Sequence, residues 1–221
     1  MNTTATTRQA RSDGDQTRAA IIEAAGILFG EQGYDRTTGK AICERAQVNM
    51  AAINYHFGSR DGLYLAVLKE FHQRMFSIDM LRELLDRDLP PAEKLRILIR
   101  QITGYVTDRQ HWPMRVWLRE VINPSPLWPQ IVEENLQPKV DLAFELMSEL
   151  TGLPADSPDL KPLLLGTIAP FVALVVVSGS PGHPLQELQH SNSEQLAEQI
   201  WRFIMGGLTA AASAGSETVA D

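Results

Sequence analysis

Apolar residues recur at helical spacing along almost the whole chain, and no alternating runs bounded by turn residues point to strands. The first pattern, Arg18 to Gly30, puts Ile21, Ala24, Ala25, Leu28 and Phe29 on one face, the spacing of an amphipathic helix. Gly33 follows as a stop. Thr37-Thr38 then offers a capping hydroxyl to a short helix running to Arg45, which should bury Ala41 and Ile42. After the turn Ala46-Gln47-Val48, Asn49 can cap a third short helix that ends at Phe57, where Gly58-Ser59 breaks it. Ser59 opens a long fourth helix with Asp61 in its first turn, where the helix dipole favours an acid, and Leu63, Ala66, Val67 and Phe71 as its buried stripe.

The second half is also helical. Pro90-Pro91 marks a start, and the pattern is periodic from Ala92 to Thr107. His111-Trp112-Pro113 interrupts it, Met114 to Ile122 resumes it, and Asn123 to Pro126 is a loop. Leu127 to Leu150 is long and amphipathic, and Pro138 should kink or split it. A proline-rich link from Gly152 to Pro162 leads to Leu163–Val177, which is apolar nearly all round. The last helix is Ser193 to Leu208. The expectation is an all-α chain. Residues 15–75 form a small domain with a helix-turn-helix at 38–57, and residues 76–208 form a larger helical domain. Residues 1–14 and 209–221, rich in Thr, Ser, Ala and Gly, read as mobile tails.

Composition narrows the class. The 221 residues are 44% hydrophobic and 21% charged, an ordinary soluble balance that excludes collagen, rods and general disorder. Cys43 is the sole cysteine, so no internal disulfide or zinc cluster is possible, and a cytoplasmic location is the simplest fit. It reads as a small buried hydrophobe. The first sixteen residues are polar and carry no secretory h-region. Leu163–Val177 holds Gly166, Thr167 and Pro170 and falls short of the roughly 20 apolar residues of a membrane span. There is no H-x-x-x-H spacing, no glycine-rich phosphate loop and no G-x-S-x-G elbow. No metal, cofactor or enzyme activity is expected. A helical enzyme built on His111, Arg115, Arg119 and Glu120 lacks any nucleophile–base spacing. The net charge is −7, but residues 1–60 carry seven Lys/Arg against six acids, while the remainder carries 13 against 21. A near-neutral head on an acidic body can approach DNA, whereas the body is repelled.

Two short helices joined by a three-residue turn, packed on a preceding amphipathic helix, make a helix-turn-helix. Its second helix can enter a major groove about 12 Å wide. Asn49, Met50, Ala51, Ala52 and Asn54 offer amides for base edges and methyls for thymine. Tyr55, His56 and Arg60 suit phosphate oxygens. Lys40, Thr38 and Gln47 complete the expected DNA-contacting set.

The stretch from Thr17 to Leu68 resembles the DNA-binding domain of TetR-family transcriptional regulators. The matching pieces are Phe29-Gly30, Gly33-Tyr34, Thr37-Thr38, Ile42, Ala46, Val48, Tyr55-His56-Phe57, Ser59-Arg60, Leu63 and Tyr64. Three positions depart from the pattern: Gln47 for a usual glycine, Cys43 for a usual alanine, and Gly39 where a larger residue is common. Gln47 asks for a turn conformation that glycine takes more easily. Trp117-Leu118-Arg119-Glu120, the Pro124/Pro126 loop and Leu136-Gln137-Pro138 are similar to the C-terminal domain of the CecR-like subgroup.

The resemblance implies an effector-binding and dimerisation domain. It also implies a ligand-responsive regulator, a repressor by default, that binds a palindromic operator as a homodimer and is released by a small molecule. An activator, or a helical small-molecule-binding protein without repressor action, is the alternative. Arg115 and Arg119 share a helix face and can bind an anion. With His111, Trp112, Trp117, Phe144 and Phe171 they form the expected ligand set. The expected dimer face is Leu164, Ile168, Val172 and Val175 from one late helix, and Trp201, Ile204, Met205 and Leu208 from the last.

Overall fold

The computed structural model describes residues 3–107, 112–178, 180 and 182–217. Every regular element among them is helical: α1 (Thr3–Gln32), α2 (Gly39–Ala46), α3 (Met50–Phe57), α4 (Arg60–Phe76), α5 (Ile78–Leu85), α6 (Pro91–Thr107), α7 (Trp112–Ile122), α8 (Trp128–Ile131), α9 (Gln137–Thr151), α10 (Leu160–Ser178) and α11 (Ser193–Glu217). A π-helical turn, Val132–Leu136, separates α8 from α9, and a 3-10 turn, Gln186–His190, precedes α11. The chain divides into two compact units. One is Met1–His72 with Trp112–Ile131, and the other is Gln73–His111 with Val132–Asp221.

The boundaries in the first unit follow from local chemistry. Gly33 and Gly58 end α1 and α3 at positive φ, and the Gly33 N–H donates to the Phe29 carbonyl. Thr37 is fully buried, and its hydroxyl lies 2.7 Å from the Gly33 carbonyl and 3.2 Å from that of Leu28, tying off the last turn of α1. Ser59 Oγ accepts from the Gly62 N–H and caps α4. The core gathers Ile21, Ile22, Ala25, Leu28 and Phe29 of α1 around Ile42, Ile53, Leu63, Tyr64, Val67 and Leu68. Phe29 meets Tyr64 edge to face at 4.6 Å between ring centroids.

α7 belongs to this unit, which the sequence did not signal. The expected boundary at 75/76 is therefore not that of the compact unit. Gly26 is the reason α7 can lie so close: a Cβ there would strike the Trp112 indole ring. The Trp112 Nε1–H donates to Glu23 Oε2 at 2.7 Å. Two turns further along each helix, Arg119 donates to the Gly30 and Glu31 carbonyls at 2.6 and 2.7 Å, satisfying the open C-terminal end of α1. Glu120, 1% exposed, accepts from the Tyr64 hydroxyl at 2.6 Å and from the Ser125 N–H and hydroxyl at 3.0 and 2.8 Å. One carboxylate thus joins α4, α7 and the following loop. Burial, then the Glu120 carboxylate, holds the Tyr64 phenol protonated far above its ordinary range.

The second unit packs α6 on α11, with α9 and α10 completing the bundle. Arg96 pairs with Glu198 at 2.6 Å and lies over the Trp201 ring at 4.9 Å, while the Trp201 N–H donates to the Ala92 carbonyl. α5 was not expected from sequence; Ser77 caps it and it buries Leu81 and Leu84. The long pattern from Leu127 is split, with Pro138 placed in the first turn of α9, where its missing N–H costs no hydrogen bond. Trp112 and Pro113, expected as an interruption, likewise form the first turn of α7. Residues 3–14 and 209–217, expected as tails, continue α1 and α11 as helix. Neither stretch contains proline, and extending an anchored helix avoids the cost of nucleation. α10 is long and apolar enough to cross a membrane by length and composition. It buries Leu160, Phe171, Leu174 and Val177 and packs on α6, α9 and α11, while Leu165, Ile168, Val172 and Val176 stay exposed.

Two stability outcomes follow. Glu120→Ala should lower unfolding stability in urea by about 3 kcal/mol, since it leaves buried donors on Tyr64 and Ser125 without an acceptor. Glu120→Gln, which keeps one acceptor oxygen, should lose less. Gln47 is the one non-glycine residue at positive φ among the described residues (φ 55°). Gln47→Gly should therefore raise stability by about 1 kcal/mol, because the left-handed conformation costs a side-chain-bearing residue roughly that much.

Candidate nucleic-acid interface

Three local devices set the pose of α2 and α3. Thr38 Oγ1 accepts from the Ala41 N–H at 3.2 Å and caps α2. Gln47 turns the chain in the left-handed region, and the Val48 N–H returns to the Cys43 carbonyl at 3.0 Å. Asn49 Oδ1 accepts from the Ala52 N–H at 3.0 Å and caps α3. On α3 only Ile53 is fully driven inward, at 2% exposure, and Ala52 packs beside it against the core. That fixes the rotation of the helix. Met50 (44% exposed), Ala51, Asn54 and Tyr55 (85% exposed) are left on the open side. A helix presenting small, amide and phenolic groups outward, with its apolar side held by the scaffold, suits entry into a groove.

The other expected DNA-contacting residues divide by what else they do. Thr38, Gln47 and Asn49 are exposed, and each also builds the turn or a cap. Lys40 is exposed and sits 3.8 Å from Glu44, an open i,i+4 pair that restrains it little. His56 is half-buried, with its ring 5.0 Å from Tyr55 and 6.0 Å from Phe57. Arg60 is engaged at home. Its guanidinium donates to the Tyr34 and Thr37 carbonyls at 3.1 Å and lies 4.2 Å over the Tyr34 ring, and the Tyr34 hydroxyl donates to Asp61 at 2.6 Å. Arg60 thus fastens the α1–α2 loop to the start of α4. Arg18 was not expected. It is exposed and lies 5.4 Å over the Phe57 ring at the end of α3. The signal for it was register: Arg18 precedes Ile22, Ala25 and Phe29 on one stripe of α1. Burial, then Glu44, lifts the Cys43 thiol above its ordinary value, so the reactive thiolate is disfavoured.

The expected ligand set is spread over the chain. His111 lies outside the described residues. Trp112 is buried and bonded to Glu23 on α1, and Arg119 to the end of α1. The anion site drawn for Arg115 and Arg119 therefore has one guanidinium already engaged, while Arg115 is exposed. Trp117 is half-buried in an aromatic cluster, stacked on Phe71 at 5.2 Å and close to His72 and Trp128. Phe144 is half-buried on α9 and Phe171 is buried on α10, both in the second unit.

Of the expected dimer residues, Ile168 and Val172 are exposed, and Leu164, Val175, Trp201 and Met205 are half-buried. Ile204 and Leu208 are a correction: both are buried in their own unit, because α11 turns that stripe toward α6. The open apolar residues are Leu165 (69% exposed), Ile168, Val172 and Val176 on α10, with Phe203 (74% exposed) on α11. Sequence reasoning missed Leu165, Val176 and Phe203. α10 is apolar on most sides and gives no sign of which side its neighbours will cover, whereas on α11 Phe203 lies off the apolar stripe of Ile204 and Leu208.

The profile for bacterial regulatory proteins of the tetR family matches residues 21–67, and that for the C-terminal domain of the HTH-type transcriptional dual regulator CecR matches residues 91–208. The CecR regulator of Shigella flexneri is 28% identical over 153 residues, covering 65% of this chain and 68% of that protein. The HTH-type transcriptional repressor KstR2 of Mycolicibacterium smegmatis is 24% identical over 195 residues, covering 87% and 90%. A TetR-like transcriptional regulator from Rhodococcus sp. RHA1 shares the fold at a TM-score of 0.64 and 17% identity, over 87% of this chain and 95% of that one. These relatives are regulators of transcription, not enzymes. This chain belongs to the TetR family of transcriptional regulators.

Proposed function

We propose that the protein is a cytoplasmic repressor that binds a palindromic operator as a twofold homodimer and leaves it when a small molecule is bound. The observation that carries this reading is the open face of α3, with Met50, Ala51, Asn54 and Tyr55 directed away from a core gripped by Ile53. Asn54 reads base edges through its amide. Tyr55, His56, Lys40 and Arg18 take phosphates, and phosphate contacts set the register of the helix on the duplex. Arg60 acts from within, holding the loop that precedes α2.

One such head covers a short site, and a second copy doubles it. The apolar stripe Leu165, Ile168, Val172 and Val176, with Phe203, supports pairing of α10 and α11 with the same helices of a second chain. The effector is assigned to the second unit, where Phe144 and Phe171 favour an apolar or aromatic compound. It acts by favouring a dimer geometry that no longer matches the spacing of two half-sites. α4, which runs from the first unit into the second, is the element through which that preference would pass. Activation is the second reading, favoured by the name of the CecR relative, a dual regulator.

Selection from a random DNA library should yield a palindromic site for the wild type. The Asn54→Ala/Tyr55→Ala variant should bind that site about 10- to 100-fold more weakly in an electrophoretic shift, with its melting temperature unchanged. Equal affinity of the two proteins would refute the assignment of α3. In sedimentation at micromolar concentration the wild type should be a dimer, and Leu165→Asp/Phe203→Asp a monomer. A monomeric wild type would remove the twofold model.

A further inference from the structure

Gly39 opens α2 and Met50 opens α3, the two helices that the turn at Gln47 brings together. A Cβ at position 39 would lie 2.8 Å from Met50 Cε and 3.3 Å from Met50 Sδ. Non-bonded carbons rest at about 3.5–4.0 Å, so the Met50 thioether occupies the space that any other side chain at position 39 would need. Backbone conformation does not call for glycine here, since Gly39 is not among the residues at positive φ. Glycine at the start of a helix also weakens it relative to alanine. What the missing side chain provides is a resting place for Met50 along α2.

We propose that Gly39 and Met50 form one specificity device, in which Gly39 keeps the Met50 side chain folded back on α2 and away from the base edges opposite the first turn of α3. The inference rests on the operator-binding reading above. The clashing atoms are the far end of a flexible chain, so a side chain at position 39 is relieved by a new Met50 rotamer and not by moving a helix. The open side is available, because Met50 is already 44% exposed. Met50 and Asn54 stand four residues apart and share a helix face. A displaced thioether therefore moves beside the amide that reads bases, adding an apolar group that favours a thymine methyl and crowds other base edges.

The test compares the wild type, Gly39→Ala, Met50→Ala and the double variant on the DNA site that the wild type selects from a random library. Gly39→Ala should weaken binding about tenfold and change the selected base at the positions facing the first turn of α3. In the Met50→Ala background the same glycine change should alter affinity by less than about twofold, the signature of two coupled residues. Equal effects in both backgrounds, or unchanged base preference, would overturn the proposal. The melting temperature of Gly39→Ala should be unchanged or higher, which separates altered recognition from misfolding. Without DNA, the methyl resonance of Met50 in protein carrying 13C-methyl methionine should shift on Gly39→Ala, and a resonance that stays in place would also overturn the contact. A wild type that enriches no DNA would instead sink the operator reading, and the recognition role of this pair with it; the methyl resonance still reports the contact itself.

Discussion

An eight-residue helix does not hold together by itself in water, because nucleation costs more than so few backbone hydrogen bonds return. α3 is that short. It persists because Asn49 caps it and Ile53 is drawn into the core between α1 and α4. That single buried side chain decides the rotation of the helix, and rotation decides which residues look outward. Met50, Ala51, Asn54 and Tyr55 form the open face because Ile53 must be inside. The candidate recognition surface is thus a consequence of packing on the opposite side of the same helix.

The scaffold that receives Ile53 is held by polar contacts between distant parts of the chain. Arg119 and Trp112 bind α7 to α1, Glu120 binds α7 to α4, and Arg60 binds the loop before α2 to α4. Several of these groups carry charge or strong hydrogen-bonding capacity, so from sequence they look like ligand or phosphate contacts. Their observed partners are backbone carbonyls, the Glu23 carboxylate, a phenol and a serine, and those partners satisfy groups that would otherwise be costly to bury. Arginine serves both purposes with one geometry, and only the neighbour distinguishes them.

Much of the first unit was legible in the residues. Gly33, Gly58, Thr38, Asn49 and Ser59 act within one or two turns of themselves, so their roles as stops and caps can be read without knowing the fold. The left-handed turn at Gln47 was legible only through the family resemblance, in which glycine is usual at that position. The expected grouping of Trp112, Arg115, Trp117 and Arg119 as a ligand set was less secure. Their common feature is position on α7, and what α7 lies against depends on Gly26 and Glu23, some 90 residues earlier. The inward turn of Ile204 and Leu208 depends in the same way on α6.

By itself the sequence determined the helical class, the position of the helix-turn-helix and the identity of its caps, since periodicity and capping are local properties of the chain. It also determined the family, through about fifty residues in register. Tertiary structure alone decided that α7 joins the first unit, that Arg60 and Arg119 are fasteners, that Leu165 of α10 and Phe203 of α11 are left open, and that Met50 rests on Gly39. Each of these is set by atoms far apart along the chain, where the space left by one residue fixes the course of another.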